Sequence, residues 1–92
     1  MEKQEILCRI RGKVQGVAYR FFVARHARHM ALVGYVRNMP DFTVEVLAQG
    51  FADNLEKLIE YLRKGPFGSH VSDVEVAWRT PSAEYQDFSV SY

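Results

Sequence analysis

The sequence lacks what several kinds of protein would need. Of its 92 residues only one, Cys8, is cysteine. A lone thiol closes no intramolecular disulfide and builds no zinc cage by itself, so a reducing, cytoplasmic setting is expected. No apolar run exceeds a few residues, far below the ~20 that cross a bilayer. No membrane partner is therefore expected. The chain opens on the polar string MEKQE, and no signal peptide is expected. There is no G-x-S-x-G elbow and no Walker loop. No segment is of low complexity, and no repeat recurs at a solenoid period.

The most telling absence is acidic. Ile6 to Pro40 contains no Asp or Glu, yet holds Arg9, Arg11, Lys13, Arg20, Arg25, Arg28 and Arg37. Residues 41–92 carry nine acids against four bases, so a net charge of +1 hides two halves of opposite sign. An acid-free, arginine-bearing half suggests a bound anion. The alternative is a solvated basic face with no ligand. Hydrophobic residues at 48% and charged residues at 25% are ordinary for a globular chain and exclude wholesale disorder. A length of 92 residues predicts one small domain, 1–92.

Ile6, Cys8 and Ile10 alternate with more polar neighbours and predict a half-buried strand, with Cys8 in the core. From about Phe21 to Leu32, Val23, Ala27, Met30 and Ala31 follow helical spacing, and Gly34 marks the expected helix exit. Tyr35–Asn38 and Thr43–Gln49 predict a hairpin around the turn Met39-Pro40-Asp41-Phe42. Asp53 is the expected N-cap of a second helix, with Glu56 completing a capping-box pattern. Leu55, Leu58, Ile59 and Leu62 supply its apolar stripe, and Gly65-Pro66 stops it. Val71–Trp78 predicts a fourth strand with Val74, Val76 and Trp78 on one face. Phe88, Val90 and Tyr92 predict a short edge strand.

The order is βαββαβ plus a short last strand. The expected class is α+β: a ferredoxin-like, split β-α-β sandwich. Its antiparallel sheet would carry both helices on one face, with a short C-terminal edge strand added. A helix between the first two strands makes both run toward the same sheet edge. Residues near 12–20 and near 38 should therefore be neighbours.

Gly12-Lys13-Val14-Gln15-Gly16-Val17-Ala18-Tyr19-Arg20 joins a strand to a helix. Its glycines let several N–H groups turn inward, and the helix behind adds unpaired N–H groups and a positive dipole end. That combination binds phosphate or sulfate, and the Arg20 fork suits two phosphate oxygens. The alternative is a plain connection with a surface arginine. His26 and His29 lack the Cys, Asp or Glu that would complete a metal site. Tyr19, Phe21 and Phe22 flank Arg20 and could pack either an acyl group or the core. Asp73 and Glu75 share one strand face, where solvation explains them more simply than catalysis.

The string GKVQGVAYRFF resembles the signature of the acylphosphatase family, G-x-V-Q-G-V-x-[F/Y]-R. Gly34-Tyr35-Val36-Arg37-Asn38, followed by Val44-Glu45-Val46 and Gly50, is similar to that family's second signature. The resemblance implies the ferredoxin-like fold. It also implies a hydrolase that converts acyl phosphates to a carboxylate and inorganic phosphate. It assigns Arg20 to the phosphoryl group and Asn38 to the attacking water, as the catalytic residues. Gln15, Gly16, Val17, Ala18, Tyr19 and Arg20 would hold the substrate phosphate. The expected partner is a small-molecule acyl phosphate, with inorganic phosphate or sulfate as inhibitor. No metal or cofactor is required and a monomer is expected. The family usually has glycine where this chain has Phe42; phenylalanine in the left-handed conformation a glycine would take costs roughly 1–2 kcal/mol.

Two other functions fit the same fold. A phosphate-binding module would hold an anion without turning it over. An RNA-binding module would read bases on the sheet. Against the second, no RNP-like aromatic string is present and the pI of about 7.9 is modest, so no nucleic-acid partner is expected.

Overall fold

The computed structural model describes residues 2–16 and 18–92. The elements are β1 (Gln4–Lys13), α1 (Tyr19–His29), β2 (Val33–Asn38), β3 (Val44–Gly50), α2 (Ala52–Lys64), β4 (His70–Arg79) and β5 (Phe88–Ser91). The sheet order is β4-β1-β3-β2-β5. β1 and β2 both lie antiparallel to β3, and β4 lies antiparallel to β1. β5 is parallel to β2, so the sheet is mixed. Among the described residues no helix is long and apolar enough to cross a membrane.

Pleat parity builds the core. Register aligns Val74, Ile10, Val44 and Asn38 in one row across the sheet, and Val76, Cys8, Val46, Val36 and Val90 in the next. These rows face the helices, whose buried residues are Tyr19, Val23, Ala24 and Ala27 on α1 and Leu55, Leu58 and Leu62 on α2. Cys8 is buried there, and burial pushes its thiol up to about 12. Trp78 shares the helix-facing side, but near the end of an edge strand it stays 42% exposed.

The other face carries a charge ladder. Glu75, Arg9, Glu45 and Arg37 lie side by side on four successive strands. Arg37 meets Glu45 at 2.9 Å, Arg9 reaches Asp41 at 3.1 Å, and Arg11 bonds Glu75. Strands of the basic half are thus paired with strands of the acidic half. Three of the seven cations noted in the sequence are matched this way, at about 1 kcal/mol or less per exposed pair.

Helix boundaries differ from the sequence reading in instructive ways. α1 ends at His29, and Ala31 (φ 56°), not Gly34, takes the left-handed exit. Leu32 N–H reaches Ala27 O and Ala31 N–H reaches Arg28 O, a Schellman exit that buries Leu32. Met30 is therefore only half-buried, and Ala31 is exposed. Gly34 lies inside β2 at φ 139°, where a Cβ would sit 1.9 Å from the Leu47 carbonyl oxygen. Two backbones meet at a distance that admits no side chain. α2 starts at Ala52, with Phe51 as an extended N-cap and no side-chain cap. Asp53 is inside the first turn, where it meets the positive end of the dipole instead of capping.

The turn at Phe42 keeps the geometry a glycine would take. Phe42 has φ 69°, its N–H bonds Met39 O, and Met39 N–H bonds Thr43 O. This is a three-residue connection closed by a left-handed residue. Asp41 accepts from the Thr43 hydroxyl at 2.6 Å and from its N–H at 3.2 Å. Those bonds offset the roughly 1–2 kcal/mol cost of left-handed phenylalanine.

A buried carboxylate anchors the crossing from β4 to β5. Glu5 accepts from Gln49 at 2.8 Å, from Ser82 N–H and hydroxyl, and from Arg79, while Gln49 also donates to Ala83 O at 2.7 Å. Burial alone would raise the Glu5 carboxyl, but these donors together bring it below its ordinary value. A depressed folded pKa means stabilisation that is complete above the unfolded value of about 4.3 and is lost as pH falls through the folded value. Glu5→Gln should cost about 1.5–3 kcal/mol at pH 7. The gap between variant and wild type should close on acidification below pH ~4. Urea melts of both proteins across that range check this.

Candidate active site

β1 delivers the chain to the sheet edge at Lys13, and the loop to α1 is anchored by Val14, which is 1% exposed. Gly16 follows at φ 75°, and Ala18 stands at φ 60° as the N-cap of α1. Nothing lies within 4 Å of the place a Gly16 Cβ would occupy, so its backbone borders open space. Val17, expected in the cradle, lies outside the described residues.

α1 opens toward this space. Its first internal bond runs from Phe22 N–H to Ala18 O. The amides of Tyr19, Arg20 and Phe21 precede the helical ladder and have no partner within it. No acid occupies the first turn. The positive end of the helix is therefore undiminished by a side-chain carboxylate.

Val14, Gly16, Ala18, Tyr19, Arg20, Phe21 and Asn38 line a cavity of about 90 Å³. That is room for a tetrahedral oxyanion. Asn38 enters from the far side. It ends the row Val74-Ile10-Val44, which places it on the helix-facing side of the sheet at the edge where α1 begins. The juxtaposition of residues 12–20 with residue 38 is thus realised. A larger cleft of about 480 Å³ lies beside Gln49 and the 81–86 crossing, but the Gln49 amide there is already committed to Glu5 and Ala83.

Arg20 is held by the last strand. Its Nη1 donates to Ser91 O at 2.8 Å, and its guanidinium carbon sits 4.8 Å from the centre of the Tyr92 ring. Arg28, two turns along, donates Nε to Phe88 O at 2.9 Å. Eight helical residues rise about 12 Å and three strand residues about 10 Å, so the two arginines match the carbonyls they clasp. The parallel course of β5 beside β2 carries Ser91 and Tyr92 to this edge. The sequence offered no signal for this support, because the acceptor is a backbone carbonyl.

Other expected residues divide between site and scaffold. The Tyr19 side chain runs into the core and donates to Leu62 O at 2.7 Å, and burial pushes its phenol above the ordinary range. Its contribution at the cavity is backbone. Phe22 packs against the core, whereas Phe21 is 56% exposed at the cavity rim. The Gln15 amide donates to Met39 O at 3.1 Å and to Thr43 O at 2.9 Å. Its side chain thus ties the loop to both flanks of the β2–β3 turn. Asp41 sits in that same turn. Hydrogen bonds from Thr43, aided by Arg9, hold its carboxyl below the usual range. His26 stacks on Tyr61 at 3.7 Å with Phe22 edge-on, and desolvation lowers its imidazole. Among the described residues no three His, Cys, Asp or Glu side chains gather as a metal site would require.

A ferredoxin-like α+β sandwich with a small cavity where its first crossover begins, beside the end of β2, defines the class of protein. The acylphosphatase family model matches residues 6–90. An acylphosphatase of Shewanella amazonensis is 42% identical over 88 residues, covering 96% of this chain and 97% of that protein. The solved acylphosphatase of Bacillus subtilis superposes with a TM-score of 0.93 at 32% identity, covering 97% of this chain and 99% of that one. The solved acylphosphatase of Coxiella burnetii gives 0.90 at 35% identity, covering 97% and 93%. The chain belongs to the acylphosphatase family.

The Gln15 bridge carries a local prediction. Met39 O and Thr43 O keep other partners, so Gln15→Ala should cost only about 1–2 kcal/mol. Exchange of the Met39 and Phe42 amides should quicken while the centre of β1 stays protected. Native-state hydrogen exchange reads both at once.

Proposed function

We propose that this protein hydrolyses acyl phosphates by in-line attack of water on a phosphoryl group held in the cavity beside Arg20. The observation that carries the reading is that Arg20 and Asn38 line one small cavity together with Gly16, Ala18 and the first residues of α1. Water forms the new P–O bond, and the bond to the acyl oxygen breaks. The carboxylate leaves with the electron pair, and inorganic phosphate remains. Charge spreads over the three equatorial oxygens during transfer. The amides of Gly16, Ala18, Tyr19 and Arg20 and the Arg20 fork stabilise it as a preorganised set of donors. The bond from Arg20 to Ser91 O and the stacking on Tyr92 fix the direction of the guanidinium before substrate arrives.

Asn38 holds the water in line, a contribution of position. Among the described residues no carboxylate lines the cavity, so in this reading the water's proton passes to an oxygen of the substrate's own phosphoryl group. A carboxylate leaving group makes a strong side-chain base unnecessary. In this reading the substrate is a free small molecule and the protein acts as a monomer.

Two variants test the roles. Arg20→Lys keeps a positive charge but loses the planar fork, and kcat/KM should fall by roughly 10²–10³ with an unchanged circular dichroism spectrum. Asn38→Ala should lower kcat about 10²-fold and leave the inhibition constant of inorganic phosphate within a few-fold, as expected for a contact made in the transition state. Phosphate-release assays with acetyl phosphate measure both. Phosphate binding without release from any acyl phosphate would instead make the chain a non-catalytic anion-binding module.

A further inference from the structure

The cavity is small and Phe21 stands at its rim, so a phosphoryl group held beside Arg20 and Asn38 leaves a bulky acyl group to extend past that rim. Several exposed aromatic side chains belong to segments that meet at this edge. Phe21, 56% exposed, lines the cavity itself. Tyr92, 91% exposed, lies under the Arg20 guanidinium. Phe42, 78% exposed, stands in the turn that follows Asn38, and Gln15 ties that turn to the phosphate loop. Three chain segments far apart in sequence thus carry exposed aromatic residues to the sheet edge that holds the cavity.

Phe42 is the most informative of them. It holds a left-handed φ of 69° that disfavours any side chain, and with most of its surface in solvent its ring gains little packing in return. The Asp41–Thr43 bonds that hold this turn would hold a glycine equally well, so they give no reason for a ring here, and an exposed ring kept in a glycine's conformation points to a contact made with something else. Its turn, which follows Asn38 and is tied by Gln15 to the loop before α1, says where that contact occurs. We propose that Phe42, together with Phe21, is a specificity-determining residue. The two rings flank the acyl group and favour acyl phosphates with an aromatic or extended apolar acyl chain over acetyl phosphate. This rests on the hydrolase reading above and names the substrate class for the same cavity.

The test compares benzoyl phosphate with acetyl phosphate in wild type, Phe42→Gly and Phe42→Trp. The preference for benzoyl over acetyl phosphate in kcat/KM should fall roughly five- to tenfold in Phe42→Gly, through KM, and persist in Phe42→Trp. The inhibition constant of inorganic phosphate should be the same in all three, because the phosphoryl cavity is untouched. Phenylphosphonate against methylphosphonate, used as competitive inhibitors, gives the same comparison without turnover. An unchanged benzoyl-to-acetyl ratio in an active Phe42→Gly enzyme overturns the inference and leaves the hydrolase reading intact. Failure of wild type to hydrolyse either substrate sinks the hydrolase reading itself. In that event a phosphonate preference lost in Phe42→Gly still supports the apolar seat, and equal phosphonate affinities overturn it.

Discussion

The structure depends on one directional constraint: β1 and β2 must both run antiparallel to β3, which lies between them. A chain leaving β1 can satisfy this only by returning along the sheet before it enters β2, and α1 is that return. Every feature of the site follows. The turn into α1 must sit at the edge where β1 ends, so the unpaired amides of a helix start face the end of β2. Asn38 is at that end, on the helix-facing side. The Gln15 amide then bridges the two segments that the topology has brought together.

A second dependency runs the length of the sheet. Glu5 sits near the far end of β1 and gathers Arg79, Ser82 and Gln49. That cluster pins the crossing which takes the chain from one edge strand to the other. The crossing sets the parallel course of β5, and β5 presents Ser91 O and the Tyr92 ring to Arg20. The orientation of an arginine at the cavity thus traces back to a carboxylate at the opposite end of the fold. The carboxylate is tolerated in the interior because each of its oxygens has donors.

Charge is sorted by the same topology. Arg9, Arg11 and Arg37 spend their charge on acids of the second half across the open face, at modest gain per pair. Arg28 spends its donor on the Phe88 carbonyl. Arg20 alone among the arginines lines the small cavity, and that wall holds no carboxylate. Of the seven cations of the basic half, three thus neutralise the sheet face, Arg28 clasps a carbonyl and Arg20 lines the cavity, while Lys13 and Arg25 form no ion pair among the described residues.

Local pattern alone carried much of this protein. Alternating Ile6, Cys8 and Ile10, the leucine stripe of α2 and the glycine-bearing loop before Arg20 each signal their structure through neighbours a few residues away. Periodicity and φ freedom are short-range physics, so βαββαβ, the core faces and the place of the loop before Arg20 are legible in the sequence. Boundaries were less so: an alanine took the left-handed exit at residue 31, because burying Leu32 outweighs the local preference for glycine. The pairing of arginines with acids, the Glu5 anchor and the grip of Ser91 on Arg20 belong to the tertiary structure alone. Apart from Arg37–Glu45, their partners lie 32 to 77 residues apart, and one is a backbone carbonyl of the kind every residue carries. A donor's wish for an acceptor is written in its side chain; which acceptor satisfies it is decided only when the sheet closes and distant segments compete for the same edge.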